Sequence, residues 1–170
     1  MQEVHSRTSP GIDVNIYFSL GTFLIFISGA AGNMIGGKIA DKIGRSKFNI
    51  IMLIISGSSS LIIGFFLNNA LLALVIAIIW GLTVVPDSPQ YSAMISELSD
   101  PIYIGTALAK QTALGFAIAN ISIWLLPVMV DLIGWTFGFT FLVLGPLAGI
   151  ISLLKLRKDP DSQKIAQGKK

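Results

Sequence analysis

The sequence has no cysteine and a single histidine, His5. Without thiols there is no disulfide framework, no thiolate metal site and no cysteine nucleophile. One histidine in a polar leader leaves no material for multi-histidine metal binding or imidazole acid–base work. Charge is scarce as well: only 12% of the 170 residues are Asp, Glu, Lys or Arg, where soluble domains carry about 25%. So little charge cannot cover a water-facing surface, and 53% apolar residues are too many for a disordered chain. Phosphate, zinc and serine chemistry also lack their motifs, with no G-x-x-x-x-G-K-[ST], no His/Glu cluster and no G-x-S-x-G. These absences predict a protein that is not an enzyme and needs neither metal nor cofactor.

What the chain does have is long apolar runs, with a mean hydropathy of +0.76. A membrane-crossing helix needs about 20 mostly apolar residues. Five stretches qualify, at about 14–37, 48–67, 71–97, 102–130 and 135–156. The predicted fold is therefore all-α, a polytopic transmembrane helical bundle of five spans. Residues 1–13 form a polar leader, 14–156 the membrane domain and 157–170 a basic tail. The leader lacks the basic start, apolar run and small-residue cleavage site of a secretory signal.

The placement of Lys and Arg sets the expected orientation. Lys38, Lys42, Arg45 and Lys47 fall between the first two spans, and Lys155, Arg157, Lys158, Lys164, Lys169 and Lys170 follow the fifth. Both groups lie on one side if all five segments cross, leaving Arg7 alone opposite and Lys110 inside a span. The positive-inside rule then puts the C-terminus in the cytoplasm and the leader outside. Tyr17, Trp124 and Trp135 would mark the outer interface and Tyr103 the inner one. The basic balance is thus one of topology, and nucleic acid is not an expected partner. Five spans leave the termini on opposite sides, with no upstream span to deliver the leader, so a segment before residue 1 is expected.

Charges within a span are costly and usually face a cavity or a partner. Asp87 lies roughly 15 Å along its helix from Glu97, and Lys110 roughly 12 Å along the next one from Ile102. Their similar depth on consecutive antiparallel helices predicts that they pair or share a polar cavity. Helical periodicity extends each site into a stripe. Trp80, Thr83, Asp87, Gln90 and Met94 form one, and Thr106, Lys110, Ala113, Ala117, Asn120 and Trp124 another. Asn15, Ser19, Thr22, Gly29 and Asn33 form a third on the first helix. Gln111 adds an amide beside Lys110. The candidate substrate or ion-coupling residues are therefore Asp87, Lys110, Gln90, Gln111, Asn120 and Asn33. Equally, the amides could bond between helices, and Asp87 could merely neutralise Lys110. Pro86 and Pro89 bracket Asp87, so the third helix should kink or loosen there. Gly29, Gly32 and Gly36, and likewise Gly145 and Gly149, read as close helix-packing positions.

The connection between the first two spans is Gly37-Lys38-Ile39-Ala40-Asp41-Lys42-Ile43-Gly44-Arg45-Ser46-Lys47. Gly37 and Gly44 allow close backbone approach or positive φ. The spacing of Gly37, Asp41, Lys42, Gly44 and Arg45 resembles the G-x-x-x-D-[RK]-x-G-R-[RK] signature of the major facilitator superfamily of transporters. Lys42 stands for the more usual Arg, and Ser46 occupies the final basic position. The resemblance implies alternating access between two six-helix halves, with Asp41 and Arg45 gating one side. Short of a first helix, the chain is similar to helices eight to twelve or two to six of that fold. The short tail after the last span favours eight to twelve. In that placement the third segment would line the central cavity, and the first and fourth would face the missing half.

The leading expectation is a secondary transporter of small solutes in the plasma (inner) membrane, present as a partial chain. Its partners would be lipid, a small-molecule substrate, protons or another coupling ion, and the missing half. The alternative is a non-transporting membrane fragment that completes a fold with another chain. A small homo-oligomeric channel is a third reading, in which the Asp41–Lys47 pattern would have no evident role.

Overall fold

The computed structural model describes residues 14–168. Within them are α1 (Val14–Ile43), α2 (Arg45–Ile62), α3 (Ala70–Val84), α4 (Asp87–Leu98), α5 (Ile104–Phe137) and α6 (Leu144–Leu156), with no strand. Short 3-10 turns at Ile63–Phe66, Thr140–Val143 and Pro160–Gly168 extend or join them. The leader with His5 and Arg7, the side chains of Asn15 and Tyr17, and Lys169 and Lys170 lie outside the described residues.

Four stretches are long and apolar enough to cross a membrane: Phe18–Ile43, Arg45–Phe66, Ala70–Leu98 and Ile104–Phe137. The fifth, Thr140–Leu156, qualifies only together with Pro160–Ala166, from which it is bent by 105°. The all-helical, multi-span architecture is as expected, but its punctuation differs. The expected loop at 38–47 is almost wholly helical, because Gly44 alone reverses the chain at φ 96° and ψ 136°. The break expected at Asp131–Gly134 likewise shrinks to Gly134, at φ 77°. Only glycine takes such angles without strain, so one residue suffices where several were expected. The third segment divides at Pro86, which caps α4. At the start of α3, Asn69 accepts the Leu72 N–H at 3.2 Å, satisfying a donor that the helix leaves free.

α2 is the central helix, in contact with α1, α3, α4 and α6. It buries Phe48, Asn49, Leu53, Ser56 and Ser60. α5 is its opposite, with no residue fully buried along its length. The first helix packs on α3 through its glycines. A Cβ at Gly29 would lie 2.8 Å from Val85 Cγ2 at the end of α3, and one at Gly36 would lie 2.8 Å from Phe48 Cζ of α2. A Cβ at Gly32 would strike the Leu82 carbonyl and the Pro86 ring. That carbonyl is the one Pro86 deprives of its helical donor, so α1 fits where the broken helix exposes backbone. Gly149 is similarly packed against Leu53, whereas nothing lies within 4 Å of a Cβ at Gly145, so the expected pair on α6 is half used.

Candidate functional site

At the end of the bundle where α1 meets α2, one side chain joins three helices. Arg45 is the first residue of α2. Its Nη2 lies 3.4 Å from Asp41 Oδ1, in the last turns of α1, and 3.2 Å from Glu97 Oε1 near the end of α4. Its Nη1 donates to Gln90 Oε1 at 3.3 Å. Gln90 is buried, and the Arg45 and Glu97 side chains are 20% and 28% exposed. A cation at a helix N-terminus and an anion at a helix C-terminus both oppose the helix dipoles. Arg45 and Glu97 occupy those positions, so each offsets the other's unfavourable placement.

From this cluster a polar seam runs between α2 and α3–α4. Ser46 Oγ lies 3.9 Å from Met94 Sδ, Asn49 Nδ2 is 3.4 Å from the Asp87 carbonyl, and Trp80 Nε1 donates to Ser56 Oγ at 3.1 Å. Within the stripe of Trp80, Thr83, Asp87, Gln90 and Met94, α2 therefore meets the side chains of Trp80, Gln90 and Met94 and the backbone carbonyl of Asp87. Part of the stripe thus lines a helix–helix contact within the chain.

Asp87 and Lys110 form no ion pair among the described residues. The Asp87 carboxylate accepts from Ser88 Oγ at 3.2 Å, and Lys110 is exposed on α5. Contact between α4 and α5 instead uses Ser92 Oγ, which donates to Gln111 Oε1 at 3.2 Å. Successive helical residues differ by about 100° in direction, so Gln111 reaches α4 and Lys110 turns away. Asn120 is exposed, its amide returned to the Phe116 carbonyl at 2.8 Å. Asn33 Oδ1 and Asn49 Oδ1 are buried without a hydrogen-bond partner among the described residues. Shallow depressions lie outside the core, one lined by Ser19, Thr22 and neighbouring phenylalanines, the other by Asn120, Ile121, Trp124 and Leu125.

The glycine reversal, the Asp41–Arg45 pair and their tie to a second helix now stand together, and a family profile described as Major Facilitator Superfamily matches residues 5–170. The chain belongs to the Major Facilitator Superfamily. No curated protein and no solved structure matches it. Membership makes this a multi-pass membrane protein of a transporter family rather than of an enzyme family.

Within the facilitator pattern the two loop glycines are not equivalent. Gly44 sits at φ 96°, whereas nothing lies within 4 Å of a Cβ at Gly37. Gly44→Ala should cost about 1–3 kcal/mol of backbone strain. Gly37→Ala should be neutral or slightly stabilising, since alanine is the better helix former. Thermal melting of the two solubilised variants checks this, and equal midpoints would contradict it. Lys42 is exposed at the end of α1. Glu97 was not among the candidates read from the sequence. The signal was there, since Glu97 follows Gln90 by seven residues and so shares its helix face.

Proposed function

We propose that the chain is part of a secondary active transporter that moves a small solute by alternating access, corresponding to helices eight to twelve of the facilitator fold. The observation that carries this reading is Arg45, bound at once to Asp41 on α1 and to Gln90 and Glu97 on α4. Such a cross-helix cluster closes one end of a bundle, and separating its members opens it. The Lys and Arg residues of the α1–α2 turn and of the segment after α6 gather at this end, which by the positive-inside rule is cytoplasmic. With no nucleotide-binding motif in the chain, a gradient of substrate, proton or ion is the energy source.

Behind the cluster the α3–α4 break places Asp87 in the first turn of α4. Broken helices near the bilayer midplane commonly build substrate or ion sites. Asp87 is proposed to bind the substrate or coupling ion, with Asn33 among the groups near the break. The exposed faces of α1 and α5 are mostly apolar, but Ser19, Thr22, Lys110 and Asn120 stand among their apolar side chains, and lipid covers such polar groups poorly. These faces are proposed to meet the other half of the transporter, so Lys110 and Asn120 act across that interface.

In membrane vesicles holding the complete transporter, Asp87→Asn should lower accumulation of its solute at least tenfold. A panel of labelled sugars, amino acids and organic ions supplies the assay. Wild-type accumulation by the variant at every pH would remove Asp87 from the mechanism. The unburied α5 also favours a second reading, a partner subunit that completes a fold with another chain. Co-purification with a separate membrane polypeptide supports it, and an open frame continuing upstream of Met1 opposes it.

A further inference from the structure

After α6 the chain turns back on the bundle instead of trailing away. Asp159 organises the turn, its side chain accepting the Asp161 N–H at 2.9 Å and its carbonyl the Ser162 hydroxyl at 2.6 Å. The 3-10 segment Pro160–Gly168 then lies against α4. Only one of its large side chains is apolar, and that one, Ile165, is fully buried among Leu53 of α2, Met94 of α4 and Leu153 of α6. The next residue, Ala166, has a left-handed φ of 47°. Its N–H donates to Glu97 Oε2 at 3.0 Å. The two oxygens of one carboxylate are thus divided, Oε1 to Arg45 and Oε2 to this segment.

We propose that Pro160–Gly168 is a latch that positions Glu97 for Arg45 and so keeps this end of the bundle closed. The inference rests on the proposed gating role of the Arg45 cluster. A rigid carboxylate meets Arg45 at one geometry, whereas a Glu97 released by Ala166 can swing toward water. Attachment by Ile165, the small Ala166 beside it, the buried Ser162 and one hydrogen bond is weak enough to be reversible. The segment is otherwise polar, and its Lys164–Asp161 pair at 2.8 Å stays within it on the surface. Detachment therefore loosens the gate without dismantling the helices, and Glu97 is a positioning residue shared by latch and gate.

The absence of cysteine makes a single introduced thiol a clean reporter of opening. Asn49→Cys suits this purpose, because Asn49 is 0% exposed and lies in the seam one turn inward from Arg45. Ser60→Cys, at 2% exposure and about 16 Å further along α2, reports loss of the fold. In inside-out vesicles carrying the full chain, a membrane-impermeant maleimide should label Asn49→Cys at least tenfold faster when Ile165 is replaced by Asn. Ile165→Ala should give a smaller rise, Ile165→Val none, and Ser60→Cys should stay unlabelled throughout. Unchanged labelling in Ile165→Asn, or a rise at both thiols, overturns the latch. Arg45→Ala separates the two claims. If it leaves Asn49→Cys unlabelled, the gate itself is refuted. If it opens the site while Ile165→Asn does not, only the latch is.

Discussion

Leucine in place of Gly32 is expected to destabilise the solubilised protein by about 3 kcal/mol, at the upper end of ordinary overpacking costs. A side chain there cannot simply rotate away, because its Cβ already falls on the Leu82 carbonyl and the Pro86 ring. The obstacle is backbone and a rigid ring, so α1 must lift from α3. Lifting it also strips Gly29 from Val85 and Gly36 from Pro86. Leucine is a better helix former than glycine by up to about 1 kcal/mol, which makes a net loss the more telling. Gly145→Leu is the comparison, since nothing lies within 4 Å of its Cβ, and it should leave stability unchanged or raise it by up to about 1 kcal/mol. Thermal melting in one detergent compares the two. A Gly32→Leu midpoint equal to the wild type would mean that α1 does not pack on α3 in this way.

The same contact shows what the sequence could and could not convey. Small residues three and four apart on the first helix announce a close approach, but not which neighbour makes it. Here the partner is the carbonyl beside a proline on α3, within the chain. The stripe through Asp87 and Gln90 has the same limit. Periodicity identifies a face, and only the arrangement of helices decides that α2 meets Trp80, Gln90 and Met94 on it. Lys110 and Gln111 differ by one helical step, and that step gave the α4 contact to Gln111. The loop signature was legible because its residues lie within one short stretch. Glu97 and Ala166, separated by 69 positions, meet only once α6 has returned the chain to the same end.

Neutralising either charge of the Arg45–Glu97 pair should hurt more than neutralising both. In the native arrangement Arg45 stands at the N-terminus of α2 and Glu97 in the last turn of α4. Each dipole disfavours its charge by about 0.3–1 kcal/mol, and the partner's field outweighs that. Arg45→Met leaves Glu97 facing Asp41 and the carbonyl end of α4. Glu97→Leu leaves Arg45 with only the largely exposed Asp41 and the Gln90 amide. Both side chains keep some solvent, so the loss per single variant stays below the 3–5 kcal/mol of a fully buried pair. About 1–2 kcal/mol each is expected, with the double variant less destabilised than either single one, which requires a coupling of more than about 1–2 kcal/mol. Transport should behave differently. If the pair is a gate that must close and reopen, the double variant regains stability yet stays at least tenfold impaired in solute uptake. Melting and uptake measured on the same four proteins form the decisive cycle. Uptake that recovers in step with stability would reduce the pair to a structural brace.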